Sequence, residues 1–225
     1  MKIHIAGENA LILYFAEQTS PQVAAIIQKA VTLLQKDCHD VIIDLVPSYA
    51  SLLITFDLFK CDHHQLRRRI RTSLLGITSV DKVKGKLVKL PVYYDEKIGV
   101  DLIGIAEKAQ LTIAEVISIH QSLEYQVYAI GFAPGFAYLG EVDQRIAMPR
   151  LKTPRAKVPK GAVAIADKQT AVYPSISPGG WNIIGLCPVE MFNIKNTPAM
   201  PISVGDRVKF FSVSKKDFVN LGGQL

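Results

Sequence analysis

The chain has 225 residues, 49% hydrophobic and 20% charged, with 26 Lys and Arg against 20 Asp and Glu for a net charge of +6. That length holds one large domain or two small ones, each with its own core, in a soluble globular protein. No apolar run approaches the length of a membrane span, and the three scattered cysteines (Cys38, Cys61, Cys187) form no C-x-x-C pair, so neither a membrane anchor, a disulfide framework nor a zinc site is expected.

The opening "MKIHIAGENALILYF" lacks the apolar core and small-residue cleavage site of a signal peptide, so a cytoplasmic location is expected. "KIHIAG" and "ALILYFA" read as a hairpin. Ser20 is an N-cap with Pro21 at the first helical position, and Val23, Ile26, Ile27, Ala30 and Leu34 then share one helical face. "DVIIDLV" and "SLLITFD" read as strands, and "HHQLRRRIRTSLLG" as an amphipathic helix buried through Leu66, Ile70 and Leu74 and stopped at Gly76. The order β-β-α-β-β-α predicts a small α+β domain over residues 1–80, with helices on one face of an antiparallel sheet. The polar stretch "TSVDKVKGK", from Thr78 to Lys86, is the expected boundary.

A second domain is expected over residues 86–225. "LVKLPVYY" is a strand and "DLIGIAEKAQ" a short helix. A second helix, "LTIAEVISIHQS", starts on the capping-box pattern Thr112-x-x-Glu115. From Tyr125 onward, "YQVYAIG", "AVAIA", "TAVYP", "WNIIGL" and "DRVKFFSV" are short strands punctuated by Pro and Gly, which predicts a closed or nearly closed β-barrel.

Three loops concentrate unusual chemistry. "MPRLKTPRAKVPKGAV" (148–163) carries cations at near-regular spacing and no acidic residue. Its prolines rule out a helix and favour a stiff extended segment that holds Arg150, Lys152, Arg155 and Lys157 toward an anion. "GFAPGFAYLG" (131–140) interleaves Gly and Pro with Phe132, Phe136 and Tyr138, either as a turn whose rings cap the barrel or as the wall of a ligand pocket. "YPSISPGGWNIIG" (173–185) adds Tyr173, Pro178, Gly179 and Gly180 to that wall, and Ser177-Pro178-Gly179-Gly180 has the pattern of a type II turn.

Familiar catalytic signatures are missing. "GWNIIGL" has the glycine spacing of a phosphate-binding loop without its Lys and hydroxyl, and no G-x-S-x-G occurs. The histidines show no metal-ligand spacing, so no metal is expected. His120, near the end of the capped helix, is the candidate for acid–base work. It also admits the plain reading of a cation favoured by the helix dipole. Nucleic-acid binding is disfavoured, because the basic loop lacks interleaved aromatics and the charge excess is modest.

"HQSLEYQVYAIGFAPGFAYLGEVD", "PRLKTPRAKVPKGAVAIADKQTAVYPSISPGGWNIIG" and "GDRVKFF" resemble the allophanate hydrolase subunit 1 family. Its members include the B subunit of the bacterial ATP-dependent 5-oxoprolinase and the KipI-type inhibitor of sensor histidine kinases. The resemblance implies an N-terminal α+β domain followed by a cyclophilin-like β-barrel. It also implies assembly with partner subunits A and C, the latter of the subunit 2 family, in ring opening of 5-oxo-L-proline to L-glutamate. The alternative it leaves is a kinase-binding inhibitor. Gln169 and Thr170 match the family's motif, whereas Asp167, Lys168 and Ala171 stand where it often has glycines. The implied chemistry activates the lactam oxygen with ATP before water attacks. It calls for cations around a small anionic substrate (Arg150, Lys152, Arg155, Lys157), a proton carrier (His120) and neutral donors (Gln169, Thr170). Because no phosphate loop is present, ATP is expected to be held largely by a partner protein.

Overall fold

In the computed structural model, which describes residues 1–77 and 85–225, the chain separates into two units, Met1–Lys84 and Gly85–Leu225. The stretch expected to be the domain boundary lies outside the described residues as far as position 84.

The first unit follows its hydrophobic pattern. Strands β1 (Lys2–Gly7), β2 (Ala10–Tyr14), β3 (Ile42–Ser48) and β4 (Ser51–Phe56) form a four-stranded sheet in the order β1-β2-β4-β3. Every pair in it is antiparallel. Period-two alternation puts Leu11, Leu13, Leu52, Ile54 and Phe56 on one face, all fully buried. Helix α1 (Pro21–Asp37) begins where Ser20 Oγ accepts from Val23 N and Pro21 occupies the first turn. Helix α2 (His63–Ser73) begins on a reciprocal capping box between Asp62 and Gln65. Ala30, Leu34, Leu66 and Ile70 bring the helices onto the buried sheet face, and truncating one such Leu to Ala costs about 2–5 kcal/mol.

The second unit runs β5 (Leu87–Val92), α3 (Leu102–Ala109), α4 (Ile113–Ser122), β6 (Tyr125–Ile130), β7 (Ala137–Gly140), β8 (Arg155–Val158), β9 (Ala162–Ala166), β10 (Gln169–Val172), β11 (Ser177–Gly179), β12 (Asn182–Leu186), β13 (Arg207–Ser212) and α5 (Lys215–Asn220). Seven of these strands make one sheet in the order β12-β9-β10-β7-β6-β13-β5. Tyr93 and Leu186 exchange backbone hydrogen bonds of 2.8 and 3.0 Å between the two end strands, so the sheet is a nearly closed barrel. The inner face carries Leu90, Val92, Tyr125, Val127, Leu139, Val163, Ile165, Val172, Ile184, Val208 and Phe210, packed with Leu102 and Ile105 of α3 and Val116 and Ile119 of α4. The capping box of α4 between Thr112 and Glu115 is formed as expected.

The outer face of β9 and β10 presents small side chains, Ala162, Ala164, Ala166 and Ala171. Those methyls leave room for the rings of Phe136, Tyr173 and Trp181, and for Val158 of a two-stranded β8–β11 ribbon laid over them. Ser177–Gly179 is therefore the strand β11, paired with β8, rather than the expected type II turn. That turn needs a positive φ at Gly179, and Gly179 is not among the positive-φ glycines. Its missing side chain serves packing instead, since a Cβ there would lie 2.4 Å from the Tyr173 hydroxyl.

Candidate functional site

The cationic loop is held down along its length. Asn182 Nδ2 donates to Pro149 O at 2.9 Å and to Ile165 O at 3.0 Å. Leu151 N donates to Gly180 O at 2.7 Å, and Asp167 N to Met148 O at 2.5 Å. Asp167 itself stands in the left-handed region with φ +53°, in the tight connection between β9 and β10, a conformation that suits glycine or a short polar residue.

Arg155 already has an anion. Its Nη2 donates to Asp101 Oδ1 at 2.7 Å, while Asp101 Oδ2 accepts from Ile183 N at 2.7 Å. Asp101 precedes α3 without capping it, because both carboxylate oxygens are spent on Arg155 and β12. Gly99 belongs to the same junction, where a Cβ would lie 2.4 Å from Ile184 O. Arg150 is exposed and lies over the Trp181 ring, its Cζ 5.8 Å from the centroid, a cation–π contact. Lys152 and Lys157 are exposed, and neither has a carboxylate partner among the described residues.

The predicted aromatic wall is a packed cluster with one exposed member. Phe136 sits at its centre, in edge-to-face contact with Phe132, Tyr138, Tyr173 and Trp181 at 5.0–5.6 Å between centroids. Phe136 and Tyr173 are buried, Tyr138 is half-buried, and Phe132 is 66% exposed. Phe132 also has φ +73°, an uncommon backbone state for a bulky residue. Burial raises the Tyr173 hydroxyl above its ordinary pKa, and the Trp181 backbone, Arg150 and Arg155 act against that shift. Arg150, Arg155, Phe132, Phe136, Tyr138, Tyr173, Gly179 and Gly180 thus share one region on the outside of the barrel, with Pro178 exposed on the ribbon above it.

His120 and Thr170 lie elsewhere, inside the barrel. His120 has no exposed surface. Its Nδ1 is 2.8 Å from Tyr94 Oη and its Nε2 is 3.0 Å from Thr170 Oγ1. The ring stacks on Phe210 at 4.7 Å and lies 5.3 Å from the Tyr125 ring. Tyr125 Oη donates to the His120 carbonyl at 2.8 Å. Burial drives the imidazole pKa down to about 3, so the ring is neutral and the helix dipole has no cation to stabilise. A neutral imidazole donates through one nitrogen and accepts through the other, so Tyr94 and Thr170 occupy both roles. In this arrangement a proton passes between His120 and a bound molecule only through one of those hydroxyls. Gln169 is half-buried at the start of β10, one residue from Thr170 and therefore on the opposite face of the sheet.

Two residues that belong to these sites were not singled out from residue chemistry. Asp101, just before α3, is one. Tyr94 is the other. Besides its bond to His120, it lines a hollow of about 320 Å³ with Asp95, Glu96, Lys97, Leu102, Ile113 and Ile117. A second hollow, of about 550 Å³, lies over β5 and β13 and is lined by Leu87, Lys89, Glu124, Lys209, Phe210 and Phe211. Neither hollow is lined by the cationic loop.

Residues 1–202 match the family described as carboxyltransferase domain, subdomain C and D. The chain is 35% identical over 227 residues to the 5-oxoprolinase B subunit of Bacillus subtilis (strain 168), a match covering 96% of this chain and 95% of that protein. Among solved structures, TTHA0988 superposes with a TM-score of 0.80 at 32% identity, covering 91% of this chain and 40% of the other. The present chain thus spans about two fifths of TTHA0988. PH0987 from Pyrococcus horikoshii superposes with a TM-score of 0.58 at 38% identity, covering 96% of this chain and all of the other. With a family match over most of its length and a relative of similar size at this identity, the chain belongs to the carboxyltransferase-domain family, subdomains C and D.

Proposed function

We propose that this chain is the B subunit of a 5-oxoprolinase, which with partner subunits A and C opens 5-oxo-L-proline to L-glutamate at the expense of ATP. One observation carries the reading: the 35% identity to the 5-oxoprolinase B subunit of Bacillus subtilis, which extends over 96% of this chain and 95% of that protein. The barrel is of the cyclophilin-like kind, and the enzyme works in the cytoplasm.

The residues of this chain fit a nucleotide only in part. Arg155 is neutralised by Asp101, Arg150 is drawn onto Trp181, and the remaining loop cations are exposed lysines. ATP is therefore held largely by a partner. What this chain offers a small anionic substrate is the exposed Arg150 at the Trp181 side of the aromatic cluster, with Lys152 and Lys157 near in sequence. Arg155 acts by keeping the loop in place. His120 serves as a positioning and proton-holding group behind Tyr94 and Thr170, while Gln169 lies on the barrel face outside.

Reconstitution tests the reading. The purified chain with ATP and 5-oxoproline is expected to release no glutamate, and addition of subunits A and C is expected to start the reaction. Glutamate release by the isolated chain, or none from the three proteins together, would overturn it.

A further inference from the structure

The outer face of β5 and β13 carries an unusual arrangement of charge. The two strands run parallel, with Lys89 directly opposite Lys209 and Arg207 opposite Leu87. Like charges facing each other across a ladder are unfavourable. The other cations nearby are matched: Lys86 has Asp206 at 3.8 Å, and Arg207 pairs with Glu124. Lys89 and Lys209 have no carboxylate partner among the described residues. They frame the hollow of about 550 Å³, whose apolar rim is Leu87, 38% exposed, and Phe211, 40% exposed.

The backbone beside this hollow is also open. Bonds from Arg207 N to Lys86 O and from Val213 N to Val92 O set the phase of the ladder. Lys86, Val88, Leu90 and Val92 therefore face β13, while Leu87 and Lys89 turn their N–H and C=O groups the other way. Among the described residues no hydrogen bond meets those groups, and β12 joins this side of the strand only at Tyr93.

We propose that this face docks an extended acidic segment of a partner protein of the enzyme, which pairs along Leu87–Lys89 on the side away from β13 and sets its carboxylates beside Lys89, toward which the neighbouring Lys209 can also extend. The inference rests on the reading of this chain as one component of a larger enzyme. An added strand supplies backbone partners to the open edge, its acidic side chains answer the charge that Lys89 and Lys209 share, and its apolar positions extend the exposed rim begun by Leu87. No compact ligand satisfies all three features at once.

The test is binding of the double variant Lys89→Glu/Lys209→Glu to subunits A and C, measured by analytical gel filtration and titration calorimetry. The expected result is affinity at least about tenfold weaker, with Lys89→Arg/Lys209→Arg binding like the unaltered chain. The unaltered complex is expected to weaken as salt rises. A charge-reversed variant that melts normally and binds its partners as tightly as the unaltered chain overturns the proposal while leaving the 5-oxoprolinase reading intact. Loss of turnover with assembly intact also overturns it, in favour of a small-anion site. Should the charge reversal fail to fold, Lys89→Gln/Lys209→Gln takes its place, and a salt dependence identical to that of the unaltered chain sinks the idea. An unaltered chain that neither assembles nor turns over sinks both readings.

Discussion

At His120, two hydroxyls and one imidazole satisfy each other inside an otherwise apolar barrel, with distances of 2.8 Å to Tyr94 and 3.0 Å to Thr170. Removing only the imidazole leaves both hydroxyls buried without that partner, at about 1–3 kcal/mol each. His120→Phe is therefore expected to lower stability by about 2–5 kcal/mol in denaturant unfolding, and the combination with Tyr94→Phe and Thr170→Val to recover a large part of it. The same residue gives an acid dependence. Its pKa is about 3 in the folded chain against an ordinary 6.5. Above about pH 6.5 both states are neutral there, and nothing is lost. Below it the unfolded chain binds a proton that the folded one refuses, so stability falls by about 1.4 kcal/mol per pH unit until the folded chain titrates near pH 3. The loss of stability between about pH 6.5 and about pH 4 is thus expected to be shallower in His120→Phe. Equal slopes in the two proteins would show that this histidine is not the group responsible.

Among the elements, the β8–β11 ribbon matters most, because it carries the cationic loop and covers the aromatic cluster. Its anchor is the pair formed by Arg155 and Asp101, whose side chains are 29% and 15% exposed. Truncating one member of such a pair leaves the other charge without its partner, and the remaining exposure keeps the cost below that of a fully buried pair. Asp101→Asn is expected to cost about 1–3 kcal/mol and to raise hydrogen exchange in β8 and β11 ahead of the rest of the barrel. Asp101→Asn with Arg155→Met is expected to be the more stable of the two variants. Exchange that rises equally throughout the sheet would assign the pair to global stability rather than to holding the ribbon.

For the whole molecule, each unit has its own apolar cluster. Leu13, Ile54, Leu66 and Ile70 belong to the first unit, and Val127, Leu139, Ile165 and Phe210 to the second. A unit with a contiguous core of its own is expected to fold independently. The fragment Gly85–Leu225 should accordingly unfold cooperatively and keep the near-ultraviolet circular dichroism of Trp181 in its aromatic cluster. A non-cooperative melt or a lost aromatic signal would show that the barrel needs the first unit to fold.

The sequence by itself determined what depends on neighbours a few residues away. Ser20 with Pro21, and Thr112 with Glu115, start helices because the cap and the orphan N–H groups it satisfies lie within one turn. Alternation in "ALILY" and "SLLITF" places the buried sheet face, and Pro and Gly punctuate the short strands of the barrel. The chemistry of the loops was also legible as residue types: cations without acids, and rings among glycines. The tertiary structure alone decided their surroundings. Arg155 meets its carboxylate 54 residues away at Asp101, and His120 meets Thr170 50 residues away. Gly179 is needed because the Tyr173 hydroxyl lies against it, although the tetrapeptide around it suggests a turn. Burial and pairing of this kind come from strand order and register, which are set by long-range packing and leave no local pattern to read.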